Sequence, residues 1–154
     1  MTAPAPTWDE FAEALTYELS ALGSGVLFVI SVKGRPWQFA QFAQHEDALL
    51  AEVSGHTVED PPGTNEETQA ERERLAALGW QPPVPREGYH WHRRVAYPPT
   101  SREYAEIVDG VVRALREVNG VATPTELSFR AWDGSTPGND DWEIELPGVE
   151  RQAG

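Results

Sequence analysis

The chain has 154 residues, of which 40% are hydrophobic and 24% are charged, and it contains no cysteine. This length and composition are typical of one globular domain, and the lack of cysteine excludes disulfide bonds and thiolate chemistry. With 12 Lys and Arg against 25 Asp and Glu, the formal net charge is −13. This charge would repel both a nucleic acid and an anionic membrane, so we expect neither among the partners.

The N-terminus shows no targeting signal. Residues Met1 to Thr7 carry no positive charge ahead of an apolar run, so we predict no signal peptide and a cytoplasmic protein. The longest apolar stretch, Val26 to Val32, is far shorter than the roughly 18 residues that suggest a membrane span. This stretch instead indicates a buried strand.

Three capping boxes predict three helices. Thr7, Thr64 and Thr100 are each followed, three residues later, by a glutamate at the start of a helical pattern. In such a box the threonine oxygen accepts from an early helical N–H, and the glutamate accepts from the threonine's own N–H. We predict helices over about Trp8 to Leu22, over about Asn65 to Leu78, and from Thr100 to a stop at Gly120.

Runs of β-forming residues between these helices predict the strands. Val26 to Val32, Trp37 to Gln44 and Leu49 to Val53 are separated by short turns, which is typical of an antiparallel meander. The other predicted strands are Tyr89 to Tyr97 and Leu127 to Trp132, and Trp142 to Leu146 is the candidate for a short sixth. The order α-β-β-β-α-β-α-β indicates an α+β fold in which an antiparallel sheet of about five strands packs against three helices.

We treat residues 1–154 as a single domain whose core spans about residues 7–133. From Asp133 to Glu150 the sequence has six acidic residues and no basic one. A run of like charges is usually solvated. We therefore expect residues 134–154 to form an acidic, loosely attached C-terminal extension.

The sequence lacks the motifs of catalysis and cofactor binding. Gly23, Ser24 and Gly25 follow a predicted helix and precede a strand, which is the reverse of a phosphate-binding loop. No Gly-x-Ser-x-Gly elbow is present. We predict no catalytic residue, no cofactor and no enzymatic activity.

The pair His90 and His92 is the most suggestive arrangement for a metal. Two imidazoles two residues apart on a strand share one face, and this spacing can chelate zinc. A third ligand would have to come from His45, His56 or a carboxylate, and nothing in the spacing selects one. We interpret the pair as part of a polar sheet face and predict no metal site.

The aromatic content suggests a binding surface, since the chain has six Trp, four Tyr and five Phe. Alternation along the predicted strands gathers aromatic rings, amides and guanidinium groups on one sheet face. Such a mixture is typical of protein–protein hot spots. The predicted partner-binding residues are Gln38, Phe42, His90, His92, Arg94, Arg130 and Trp132. The alternative is that the C-terminal residues or a partner subunit cover this face.

Several motifs resemble one protein family. The second helix ends in Leu75-x-x-Leu78-Gly79-Trp80-x-x-Pro83, and Phe39 to Ala43 lies on the second strand. The third helix contributes Ala114 to Val118, followed by Gly120-Val121, Pro124, Glu126-Leu127 and Ala131-Trp132. Together these residues resemble the actinobacterial branch of the YbjN and type III secretion chaperone-like superfamily. The resemblance implies an α+β sandwich whose better-known members are small acidic dimers that hold non-globular segments of secreted proteins, and it brings no catalytic residue.

The leading functional hypothesis is a non-enzymatic, chaperone-like module, expected to be a homodimer. It would hold an extended segment of a client protein by edge pairing or on its aromatic sheet face. One alternative is a small acidic inhibitor or immunity protein that neutralises a basic enzyme by charge complementarity. A third class, an enzyme that binds a small molecule at an unrecognised site, would show a deep pocket lined by carboxylates or histidines with perturbed pKa values.

Overall fold

The described part of the chain consists of three α-helices and six strands. The computed structural model describes residues 5–54, 69–83 and 90–152. The helices are α1 (Trp8–Ser20), α2 (Gln69–Ala77) and α3 (Ser101–Arg113), and the strands are β1 (Val26–Val32), β2 (Arg35–Gln44), β3 (Ala48–Val53), β4 (Trp91–Ala96), β5 (Leu127–Asp133) and β6 (Glu150–Arg151). The α+β class, the three helices and the order of the first eight elements are confirmed.

Helices α1 and α3 begin where their capping boxes predict. The Thr7 hydroxyl accepts from the Glu10 amide at 3.1 Å, and the Glu10 carboxylate accepts from the Thr7 amide at 3.1 Å. Thr100 and Glu103 repeat the arrangement at 3.1 and 2.9 Å. The predicted box at Thr64 lies outside the described residues.

A single sheet connects all six strands, in the order β4-β3-β2-β1-β5-β6. The first five form antiparallel neighbours, whereas β6 pairs with β5 in parallel. The prediction of a wholly antiparallel sheet of about five strands is therefore corrected to a mixed sheet of six. The candidate sixth strand, Trp142 to Leu146, is wrong, because this segment lies beside α1, where the Glu18 carboxylate accepts from the Glu145 amide at 3.1 Å.

One face of the sheet packs against α1 and α3 to form the core. Phe28 on β1 lies 5.5 Å from Phe42 and 6.1 Å from Phe129, measured between ring centroids, so three strands meet at one aromatic cluster. Trp80, just after α2, is buried and donates its indole N–H to the Gly110 carbonyl on α3 at 3.2 Å. The ring packs directly against the helix at Gly110, where a Cβ atom would lie 3.4 Å from it.

The C-terminal segment is firmly packed, which corrects the expectation of loose attachment. The Trp142 amide donates to the Ala131 carbonyl at 3.0 Å, and the Gln152 amide donates to the Phe129 carbonyl at 2.8 Å. Ile144, Leu146 and Val149 are only 6–7% exposed. The acidic residues alternate with these apolar ones, so the segment can bury one side while its carboxylates stay in water. The charge count alone hides this alternation.

Among the described residues, no helix is long and apolar enough to cross a membrane.

Candidate functional site

The sheet face opposite the helices is uncovered in the described part of the chain. We call it the open face. Its members, read from the strand register, are half-buried or exposed, and they are Leu27, Val29, Phe39, Gln41, Ala43, Leu50, Glu52, His92, Arg94, Arg130 and Trp132. Because the register aligns residues across five strands, ten of these side chains form two parallel rows of five, and Phe39 lies beyond them.

The first row is apolar. Trp132, Leu27, Ala43 and Leu50 stand side by side across β5, β1, β2 and β3, and Arg94 on β4 ends the row. Neighbouring strands lie about 4.8 Å apart, so this row is about 19 Å long and matches about six residues of extended chain. The Arg94 guanidinium is held beside the Asp47 carboxylate at 3.6 Å.

The second row is polar. Arg130, Val29, Gln41, Glu52 and His92 align across the same five strands. The Gln41 amide donates to the Glu52 carboxylate at 3.1 Å. These side chains can form directional hydrogen bonds with the backbone or polar groups of a bound segment.

The two rows meet at the β5 end of the open face. The Arg130 guanidinium lies over the Trp132 indole, 4.8 Å from the ring centroid. A cation over an indole face is attracted by the quadrupole of the ring. The pair therefore presents both an apolar surface and a positive charge to an approaching chain.

Most of the predicted binding residues come together on this face. His92, Arg94, Arg130 and Trp132 belong to the rows, and the His90 ring packs edge-on against Phe39, with the ring centroids 4.9 Å apart. Whether they bind a partner stays a prediction.

The prediction that Gln38 and Phe42 belong to the binding face is wrong. They are 0% and 2% exposed, on the side of β2 that packs under the helices. Phe42 lies directly opposite Phe28 in the β1–β2 ladder, and this pairing turns its ring into the core. Both alternating sets of β2 contain an aromatic residue and a glutamine, so the sequence of the strand alone does not distinguish its faces.

Sequence reasoning also missed much of the face. The sequence does not indicate that Leu27 and Val29 belong to the open face, because the continuous apolar run of β1 predicts burial on both sides. Phe39, Gln41 and Ala43 were missed because the two sides of β2 were exchanged. Which face a residue takes is indicated by its partner on the neighbouring strand and not by the strand's own sequence. Leu50 on β3, for example, lies on the open face because it pairs with Ala43 on β2.

In the part of the chain that the structure describes, no group of three or more His, Cys, Asp or Glu is arranged so that it could hold a metal ion. The His92 ring nitrogen Nδ1 instead lies 3.2 Å from the His90 carbonyl oxygen. His56, one of the suggested third ligands, lies outside the described residues.

Among the described residues, Asp133 and Tyr104 have shifted pKa values, and neither belongs to the two rows. Hydrogen bonds from the Ser135 hydroxyl and amide lower the pKa of Asp133. Burial raises the pKa of Tyr104 on α3, and the nearby Tyr97 adds to the rise. Neither shift places a general acid or base beside the two rows.

The two edges of the sheet differ. At the β4 edge, Gln81 exchanges two backbone hydrogen bonds with His92, at 2.9 and 3.1 Å. Beyond His92, no described residue pairs with the outer side of β4, where Arg94 and Ala96 direct their peptide groups. On the opposite side of the sheet, β6 and the residues before it pair with the outer side of β5.

Comparison with known proteins places this fold in a family. No curated protein and no solved structure matches the chain. A family model, TY-Chap3, described as "T3SS (YopN, CesT) and YbjN peptide-binding chaperone 3", matches residues 2–133. This match covers every element from α1 to β5 and agrees with the superfamily that the motifs indicate. The chain therefore belongs to the TY-Chap3 family of peptide-binding chaperones.

Proposed function

We propose that this protein is a non-enzymatic chaperone module that holds an extended segment of a client protein on its open face. The observation that carries the proposal is the apolar row of Trp132, Leu27, Ala43 and Leu50, uncovered among the described residues of a peptide-binding family. An extended segment laid across the strands would cover these side chains and place its own polar groups beside the second row.

The expected affinity is modest. Fully burying a large apolar side chain stabilises by about 1.5–3 kcal/mol, so completing the burial of Trp132, Leu27 and Leu50 contributes about 1 kcal/mol each. Ordering a flexible segment opposes this gain of about 3 kcal/mol. A stable complex therefore needs contacts beyond the row.

The free part of the β4 edge can supply such contacts. The apolar row ends at Arg94, where the outer peptide groups of β4 begin to lie without a strand partner among the described residues. A client segment that crosses the row can continue as an added strand there, because backbone pairing gives affinity without requiring a particular sequence.

The charges of the open face favour this function over capture of a basic enzyme. Although the whole chain has a net charge of −13, the two rows contain Arg94 and Arg130 against a single acid, Glu52. A basic partner would therefore be directed to other surfaces. The open face suits apolar segments with neutral or acidic polar residues.

A selection from a library of short random peptides, followed by fluorescence anisotropy with the full chain, tests the proposal. Ala43→Glu places a carboxylate between Leu27 and Leu50 and should weaken binding of the selected peptides at least tenfold, because a buried charge without a partner is costly. Ala105→Glu, at an exposed position on α3, is the matched control and should bind like the wild type.

Two outcomes would contradict the proposal. In the first, both variants bind the peptides equally, although circular dichroism shows both to be folded. In the second, the chain selects no peptide but retains and inhibits a folded basic enzyme, which is the behaviour of an acidic inhibitor.

We further propose that the protein is a cytoplasmic homodimer of the actinobacterial branch that its motifs resemble. Light scattering of the purified chain tests the oligomeric state. A mass of one chain at all concentrations would contradict the dimer and leave the open face as a site within a single copy.

A further inference from the structure

A cleft of about 890 Å³ lies between α1 and the C-terminal segment. Its apolar lining comes from Phe129 on β5 and from Ile144, Leu146 and Val149. The last three belong to the segment that follows the family-matched residues 2–133. This cleft therefore has a wall that the matched part of the chain does not provide.

The polar lining of the cleft is strongly acidic. Glu10, Glu13, Glu18 and Glu145 line it, against the single cation Arg151, and the Glu10 carboxylate also accepts from the Thr7 amide. The Arg151 guanidinium is already engaged, because it lies 4.9 Å from the Phe129 ring centroid and donates to the carbonyls of Ala131 and Trp142. It also lies 4.0 Å from the Asp141 carboxylate.

Glu18 is the most informative of these acids. It is 8% exposed, and its Oε1 accepts from the Glu145 amide at 3.1 Å. No Lys, Arg or His nitrogen of the described residues lies within 4.0 Å of its carboxylate. Its negative charge therefore adds to the field of the other acids that line the cleft, and a cation supplied by a ligand would complement this field.

The outer rim adds an aromatic contact. Tyr17, one turn from Glu13 on α1, is 69% exposed and lines the same cleft. An exposed aromatic ring beside acidic side chains can pack on the hydrocarbon stem of a lysine or arginine, or take part in a cation–π contact.

We propose that this cleft is a second binding site, which takes a basic segment of a partner protein. A lysine or arginine of the segment pairs with the carboxylates beside Glu18, and a neighbouring side chain packs against the exposed ring of Tyr17. The inference goes beyond the open face, which carries more positive than negative charge and suits a different segment. It requires the C-terminal segment to be in place.

Fluorescence anisotropy with two labelled probe peptides tests this site on the full chain. One peptide carries Lys-Leu-Lys-Val within a Gly-Ser chain, and the other carries Glu-Leu-Glu-Val in the same context. We expect the lysine peptide alone to bind, and we expect its affinity to fall with added salt. Glu18→Gln should weaken it about tenfold, because it removes one of the negative charges that attract the lysine.

Matched variants separate this site from general attraction to an acidic protein. Glu143→Gln removes the same charge from an exposed position of the C-terminal segment that does not line the cleft, and it should bind like the wild type. Glu18→Gln should melt at the same or a higher temperature, since it removes a buried charge. If it fails to fold, Tyr17→Ser, at an exposed position, should still weaken the lysine peptide.

Three results would overturn the inference. The first is equal binding of the lysine peptide by folded Glu18→Gln, Tyr17→Ser and Glu143→Gln, and the second is equal binding of both probe peptides. The third is complete displacement of the lysine peptide by an equal concentration of spermidine, a cation without apolar side chains. Ala43→Glu on the open face should leave binding of the lysine peptide unchanged, so failure of one site is distinguishable from failure of the other.

Discussion

Replacing Leu146 by alanine tests whether the C-terminal segment unfolds together with the rest of the protein. Leu146 is 6% exposed and belongs to the same cluster of buried residues as the sheet and helices. Removing a core leucine side chain generally destabilises by about 2–5 kcal/mol. Because Leu146 also lines a cleft, where neighbours can relax, we expect the lower end, about 2–3 kcal/mol. At about 2–4 °C per kcal/mol for a chain of this size, the melting temperature should fall by about 4–12 °C.

Urea unfolding followed by far-ultraviolet circular dichroism measures this loss of stability, and hydrogen exchange shows whether the segment is docked. The amides of Trp142 and Gln152, which donate to β5, should exchange slowly in the wild type. Glu143→Ala, at an exposed position of the same segment, is the control and should change the free energy of unfolding by less than about 0.5 kcal/mol.

The reasoning is refuted if Leu146→Ala leaves the urea midpoint unchanged and the Trp142 and Gln152 amides exchange as fast as in an unfolded chain. The segment would then be as loosely attached as its charge suggests, and the second binding site would lose one wall. A lowered midpoint with unchanged slope indicates that the segment unfolds with the domain.

Three further predictions concern the folded core. Thr100→Ala removes the hydroxyl that accepts from the Glu103 amide, so the free energy of unfolding should fall by about 1 kcal/mol in a urea titration, whereas Thr100→Ser should retain most of it. Trp80→Phe keeps an aromatic ring against Gly110 but removes the indole donor, and the loss should be about 0.5–1.5 kcal/mol because the Ala114 amide still donates to that carbonyl; an unchanged urea midpoint would contradict a role for the indole hydrogen bond. Burial raises the pKa of Tyr104 above its ordinary value of 10.0, so the folded state holds this proton more tightly than the unfolded state; the resulting stability is fully present below about pH 10 and is lost as the pH rises through the folded pKa. Tyr104→Phe should remove this part of the alkaline loss of stability.

Features set by neighbouring residues could be predicted from the sequence. The start of α1 at Trp8 follows from a hydrogen-bond exchange between Thr7 and Glu10, which are three residues apart. The bounds of β1, Val26–Val32, coincide with the predicted run because a continuous stretch of β-branched and apolar residues ends at turns on both sides.

The orientation of β2 could not be predicted from the strand itself. Gln38 and Gln44 are buried, and a buried amide needs hydrogen-bond partners that only the folded chain supplies. The Gln44 side chain finds them in the carbonyls of His45 and Ala48, at 2.8 and 3.3 Å. The face was decided by a long-range pairing, Phe42 opposite Phe28, that no local pattern encodes.

The position of the C-terminal segment limits how this sheet can bind a second chain. β6 and the preceding residues pair with the outer side of β5, and Asn139, Asp141 and Gln152 line a pocket with Arg130 and Trp132 at that end of the open face. Among the described residues, β4 beyond His92 has outward peptide groups left for an added strand. Arg94 lies at this edge and also ends the apolar row. A client segment or a second copy that pairs with β4 would therefore meet the apolar row there, far from the acidic cleft beside β5.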